Sequence, residues 1–315
     1  MAYSSNNLMP FEYASKLGHV TIIKDEFVSK LIHDFESFSL DDENVETDGY
    51  EFNIPEKDCD ILSVIAVDGS CSHITNPIVN KKAISFIKVA TLMISLDQLQ
   101  KAQGTIVDPK LINEIVTKYS DTLSTVLPLN NVKIKGVTPL ETIRRIINVT
   151  LKEKNKILYD TLEFLVFRKW LPNYQSNLEF SCPLCNKTNI FKGEFDEVTC
   201  SHCDQQIYLS DYISLHMEFN DEYTNESLAM SFMQVLEHLL FISYLRILYE
   251  QKRNRLAYVL LLKDGPLALH SQYSRLVEPI KEFIQFLKDE NIKAYIVGIE
   301  KTGPFCEHAE LLTKN

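Results

Sequence analysis

Apolar positions along the chain fall into two kinds of pattern. Ile61 to Val67 is almost unbroken, with only Ser63 polar, and Asp68-Gly69 follows. Leu256 to Leu262 (LAYVLLL) repeats the layout before Lys263-Asp264-Gly265. Short runs of this kind, closed by a turn signal, predict strands buried on both faces. Ile84 to Leu96 predicts one or two further strands, antiparallel to the first because only a short turn region intervenes. Ile292 to Ile299 (IKAYIVGI) predicts another buried strand, with an amphipathic helix at Ser274 to Asp289 before it. Strand, crossover helix and strand in that order predict a right-handed parallel unit. Elsewhere apolar residues recur every three or four positions. Glu26 to Phe38, Glu114 to Leu127 and Pro139 to Trp170 read as helices, the last begun by Thr138-Pro139 and Glu141. Asn225 to Arg253 is apolar over more than one face and predicts one long, largely buried helix.

Two carboxylates stand where an apolar strand meets its turn, Asp68 and Asp264. Burying a charge is costly unless it is paired or bound to a cation. Two such strands in one sheet can bring both carboxylates to one edge, which is how a hard divalent cation is usually held. Asp-Gly is also a favoured turn dipeptide, and that alternative stands for each pair. Glu237 lies inside the apolar helix, where a Glu is rare unless paired or coordinating a metal. Glu250, near the polar end, reads as surface.

Cys182-Pro-Leu-Cys185 and Cys200-Ser-His-Cys203 carry the most specific signal. Two C-x2-C pairs separated by NKTNIFKGEFDEVT can close a tetrahedral four-thiolate zinc site on two knuckles. His202 is a competing ligand, but four cysteines already complete the shell. A closed shell leaves no open position for substrate, so this zinc reads as structural. The other three cysteines, Cys59, Cys71 and Cys306, form no pattern, which suits a reducing cytoplasm better than a disulfide framework.

The chain has 315 residues, enough for one large domain with an insertion, and hydrophobic residues make up 45% of it. The net charge of −11 makes it a poor non-specific binder of polyanions. Handling nucleic acid would therefore need a local basic lining, bound metal or a basic partner. The most basic segment carries Lys133, Lys135, Arg144, Arg145, Lys152, Lys154, Lys156, Arg168 and Lys169. It reads either as a solvated helical surface or as a track for DNA phosphates. Residues 41–58 are acidic and polar and read as a solvated connection. No apolar run approaches the roughly 18 residues of a membrane span. The N-terminus lacks a basic region followed by an apolar core, so neither membrane nor secretory signal is expected.

Taken together, VDGS at Val67 to Ser70, IYLSDYISLH at Ile207 to His216, MQVLEHL at Met233 to Leu239, KDGPLAL at Lys263 to Leu269 and VGIEKTGPFCEH at Val297 to His308 resemble the NurA nuclease family. The likeness is closest to bacterial members with a zinc-ribbon-like insertion and covers roughly residues 60–100 and 180–308. It implies an α/β fold: an RNase H-like mixed sheet flanked by helices, with a helical insertion and a four-cysteine zinc ribbon. The implied segments are 1–58 (N-terminal helix and acidic linker), 59–100 (first part of the core), 101–178 (helical insertion), 179–210 (zinc ribbon) and 211–315 (second part of the core). The implied activity is manganese- or magnesium-dependent cleavage of DNA ends, as exonuclease and single-strand endonuclease. The implied partners are DNA, a second copy in a homodimer and a HerA-type hexameric ATPase, in DNA repair or anti-phage defence. Asp68, Glu237 and Asp264 match the family's acidic metal ligands, Lys301 a lysine after the later strand, and His308 a downstream histidine. The chain departs from the family after Gly303, where members continue with further strands and another active-site residue. Either this is a truncated chain or a natural short form, or another chain supplies that part. A non-catalytic scaffold for the ATPase and a zinc-ribbon nucleic-acid-binding module are the rival expectations.

Overall fold

The structure is a computed structural model. It describes residues 60–76, 82–101, 120–174, 176–193, 195, 197–268, 275–301 and 306–307. The chain divides into two units, Met1–Asp58 and Cys59–Asn315, and every described residue belongs to the second. The predicted helix at Glu26 to Phe38, the acidic stretch 41–58 and His308 lie outside the described residues.

The centre is a five-stranded mixed sheet. Strand β1 (Ser63–Asn76) pairs antiparallel along its whole length with β2 (Lys82–Ser95), and β2 pairs antiparallel with β3 (Ser120–Asn130). On its other side β1 pairs in parallel with β8 (Val259–Asp264), which pairs in parallel with β9 (Tyr295–Ile299). The order is β3-β2-β1-β8-β9. A short helix α1 (Leu96–Lys101) follows β2. Helix α2 (Pro139–Val149) starts at Thr138, whose hydroxyl accepts the Glu141 amide at 3.2 Å, satisfying one orphan donor of the first turn. A π-turn, Thr150–Lys154, separates α2 from α3 (Lys156–Val166), which Asn155 caps. The ribbon strands are β4 (Asn177–Ser181), β5 (Thr188–Lys192), β6 (Glu197–Thr199) and β7 (Gln206–Tyr208).

Helix α4 (Glu226–Gln251) is the core of the unit. Its apolar residues point in several directions, and it packs against β1, β2, β8 and α3. Phe232, Leu236, Leu239 and Leu245 are fully buried. Tyr244 donates to the Thr91 hydroxyl at 3.0 Å and Arg246 to the Thr161 hydroxyl at 3.1 Å, tying the helix to β2 and α3. By length and composition α4 is apolar enough to cross a membrane, and 78% of its most apolar window is buried inside this fold. Helix α5 (Val277–Asp289) links β8 to β9 and buries Ile280, Phe283 and Leu287.

Four sequence expectations are corrected. Glu114 to Leu127 is not helical where it is described: Ser120–Asn130 is β3 and belongs to the main sheet, so 101–178 is not an all-helical insertion. The apolar residues that matched a helical period also alternate, and pairing with the long free edge of β2 selects the strand. β1 is not buried on both faces: Ile65 and Val67 are buried, while Val64 and Ala66 are half-buried on the other side. β9 is an edge strand with Tyr295, Val297 and Ile299 exposed. Asp68-Gly69 is no turn, since β1 runs seven residues beyond Gly69 to Asn76 in unbroken register with β2.

Candidate active site and metal centre

The parallel ladder between β1 and β8 closes at the pair Val67 and Lys263. One residue further, Asp68 and Asp264 stand side by side on neighbouring strands. There β8 ends: Gly265 takes φ +84°, a conformation glycine adopts without strain, and its amide donates to the Ile299 carbonyl at 2.7 Å. β1 continues paired with β2 only, leaving a notch along its β8 side.

Successive strand residues point to opposite faces, so Gly69 faces α4 while Asp68 faces away from it. A Cβ at Gly69 would lie 2.4 Å from Glu237 Oε1. The glycine is therefore a slot: it lets the carboxylate from α4 lie against the backbone of β1 one residue after Asp68, on the face opposite the Asp68 side chain. Asp68 is exposed, Asp264 half-buried and Glu237 buried.

Two lysines hold two of these carboxylates. Lys263, 3% exposed, donates to the Asp264 carbonyl at 2.8 Å and pairs with Glu237 Oε2 at 2.9 Å. Lys301, on the surface, pairs with Asp264 Oδ2 at 2.7 Å. Burial pushes the Glu237 carboxyl above its ordinary range; Lys263 opposes this, and the charges of Asp68 and Asp264 add to it. The hydrogen bond from Lys301 brings the Asp264 carboxyl down against an opposing contribution from burial, and Asp264 raises Lys301 in turn. Among the described residues, only the four cysteines bring three or more ligand atoms within 4.8 Å of one another. The three carboxylates share one corner of the fold without being gathered that tightly.

The cysteines are built by local turns. In the first knuckle the Cys182 amide donates to the Lys187 carbonyl at 2.9 Å, and in the second the Cys200 amide donates to the Gln205 carbonyl at 2.8 Å. Each turn closes through a left-handed residue directly after its second cysteine, Asn186 (φ 56°) and Asp204 (φ 57°), residue types that tolerate this conformation. Sγ of Cys182 lies 3.6 Å from that of Cys203, and Sγ of Cys185 lies 3.7 Å from that of Cys200. A tetrahedron with Zn–S of about 2.3 Å has an edge of about 3.8 Å, so the spacing fits zinc. The Asn189 amide donates to Cys200 Sγ at 3.3 Å and the Leu184 amide to Cys182 Sγ at 3.5 Å, contacts that favour thiolates. Burial pushes the Cys200 thiol up, but the amides of His202, Asn189 and Cys203 outweigh it and bring it to about 6. At Cys203 the Gln205 amide lowers the thiol, but burial and the other three sulfurs push it up to about 12. Four thiolates at these distances need a cation among them. The four cysteines can hold a structural metal such as zinc.

The ribbon is anchored by a buried ion network. Arg144 donates through Nε to Asp211 Oδ1 at 2.9 Å and through Nη2 to Oδ2 at 2.6 Å, and it also pairs with Glu141. Tyr208 and Gln205 donate to Glu141 at 3.0 and 2.9 Å. This accounts for much of the basic segment. Arg145 pairs with Glu141, Lys156 with Asp160, Arg168 with Glu282 and Lys169 with Glu163, while Lys133 and Lys135 are exposed.

Sequence reasoning missed Lys263, Gly69 as a slot and Asn189. Lys263 had a signal: it sits two residues after buried Leu261, an inward position of an alternating strand. Comparison with protein-family models, with curated proteins and with solved structures finds no match to this chain.

Proposed function

We propose that this chain is a divalent-metal-dependent deoxyribonuclease with an RNase H-like core, acting on DNA ends. The observation that carries the reading is the corner at the end of the β1–β8 ladder. There Asp68 and Asp264 adjoin on central strands, and Gly69 admits Glu237 beside them. The sheet supports it too: a three-stranded antiparallel meander continued by two parallel strands, with the acidic corner on its central strand. Three carboxylates from separate elements share this corner although together they repel, with Glu237 reaching it from the α4 side of the sheet. Their hard oxygens suit manganese or magnesium. An ion held by Asp68, Asp264 and Glu237 would orient water for in-line attack and neutralise charge on the phosphate. Lys301, exposed and already at Asp264, is placed to stabilise charge developing on a phosphate drawn to the same corner.

The resemblance to NurA nucleases extends the reading to a homodimer working with a HerA-type hexameric ATPase in the cytoplasm, in DNA repair or phage defence. Light scattering of the chain alone and with such an ATPase tests this, and a strict monomer indifferent to the ATPase counts against it. The test of the enzyme is Mn²⁺-dependent cleavage of labelled DNA by wild type and Asp68→Asn. Equal cleavage by the two would sink the mechanism. One observation favours a second reading, a non-catalytic scaffold: Lys263 and Lys301 already neutralise two of the three carboxylates. Absence of any metal-dependent cleavage by wild type would select it.

A further inference from the structure

The face of the sheet turned away from α4 is divided in two. Along β8 and β9 it is apolar, with Leu260, Leu262, Tyr295 and Val297. Along β1 to β3 it is mixed: Ile74, Ile84, Leu92 and Val126 share it with a polar stretch of Asp68, Ser70, Ser72, Lys88 and Ser124, and that stretch is open, as one side of an antiparallel sheet can be. There the register sets two rows beyond the carboxylates. Asp68 is level with Ala90 and Thr122; the next row is Ser70, Lys88 and Ser124; the one after is Ser72, Phe86 and Val126. All residues of these last two rows are exposed. Phe86 is 47% exposed, a large aromatic standing on its strand between Ser72 and Val126. Lys88 has no ion-pair partner among the described residues. Each row is about 6.8 Å from the next, so a cation stands one step and an aromatic face two steps from Asp68. Past Val126 the face reaches a groove of about 420 Å³ that Arg145 also lines.

We propose that this face of β1–β3 is a binding track for a single strand of DNA leading to the acidic corner. Lys88 with the Ser70 and Ser124 hydroxyls takes a backbone phosphate, and Phe86 stacks an unpaired base. Phosphates are met by Lys and Ser side chains, and aromatic faces hold bases without reading their sequence. A base within a duplex is stacked on both sides and cannot lie on Phe86, so the residue selects unpaired strands. The local cation also answers the overall charge of −11, which would otherwise repel DNA. The track rests on the nuclease reading for its purpose, but binding can be measured without cleavage.

The test is fluorescence anisotropy of the full chain, without added divalent ion, on labelled oligo(dT) and on a duplex of equal length. Phe86→Ala is expected to weaken oligo(dT) binding about 10-fold or more while changing duplex affinity less than about 2-fold, with Phe86→Trp restoring it. Lys88→Ala is expected to weaken binding and to reduce the slope of log affinity against log salt by about 0.7. Matching thermal melts would show that the variants are folded, and the Lys88 variant carries the test if Phe86→Ala melts early. The track is overturned by a wild type that binds no oligo(dT), or by unchanged affinity in both alanine variants. Equal weakening on duplex overturns it as well. So does a Phe86→Ala protein whose mass in solution falls while oligo(dT) affinity holds, because the face would then belong to a second copy. Mn²⁺-dependent cleavage separates the two ideas: binding that depends on Phe86 without cleavage removes only the nuclease, and cleavage indifferent to Phe86 removes only the track.

Discussion

In the ribbon, each pair of thiols is set by one turn whose geometry is written within a few residues. At the end of the β1–β8 ladder, Asp68, Glu237 and Asp264 come from two strands and a helix far apart in sequence. The thiols arrive already at tetrahedral spacing, with amide donors aimed at sulfur. The carboxylates arrive with lysines in attendance, Lys263 buried against Glu237 and Lys301 exposed against Asp264. A site whose cation is part of the fold can leave its ligands no other partner. On the proposed reading, the carboxylates must stay stable when no cation is bound, and the two lysines supply substitute positive charge.

The largest expected effect is on the ribbon. Structural zinc can contribute about 10–16 kcal/mol of apparent folding energy. Cys182→Ser, or prolonged chelation, should release one zinc per chain and melt β4–β7 first, while β1 and β8 keep their protection in hydrogen exchange. Protein purified without chelator that contains no zinc by metal analysis would break the comparison at its firmer end. Next, Asp68→Asn should reduce Mn²⁺-dependent cleavage by about 10³-fold or more, with little change in melting temperature because a repulsive charge is removed.

Lys263→Met comes third. It leaves Glu237 buried without its cation, a change that typically costs about 3–5 kcal/mol. The loss should depend on pH. Glu237 already titrates above its unfolded value, so the native state holds its proton more tightly and stability falls as pH rises through that window. Removing Lys263 extends the window upward. The variant should be most destabilised at neutral pH and recover as pH falls toward the ordinary carboxylate range of about 4.3. Denaturant melts across pH check this, and a pH-independent loss would show that Lys263 acts by packing. The smallest effect on stability belongs to Lys301→Ala. Its ammonium is on the surface, so melting should not move, while cleavage should fall if it serves the phosphate. A clear drop in melting temperature would make Lys301 a structural partner like Lys263.

Much of this was open to reading from the chain because it is local. The C-x2-C pairs, the helix start at Thr138, the apolar run of β2 and the apolar length of α4 each depend on neighbours within a turn or two, and the fold realises them. Glu237 was flagged by a local anomaly, an acid in an apolar helix. What failed was decided by distant partners. Ser120–Asn130 became a strand because β2 offered it an edge. Arg144 and Arg168 left the basic surface because Asp211 and Glu282 lie opposite them in space. Gly69, which reads as a turn, is a glycine because α4 carries a carboxylate to that point of β1. The sequence by itself determined the thiolate knuckles, the helix start at Thr138 and most of the strands and helices, since backbone sterics and short-range hydrogen bonds settle those, but β3 needed the edge of β2. Only the tertiary structure decided which charges meet, because ion pairs and close approaches depend on separations through space that the order of residues does not encode.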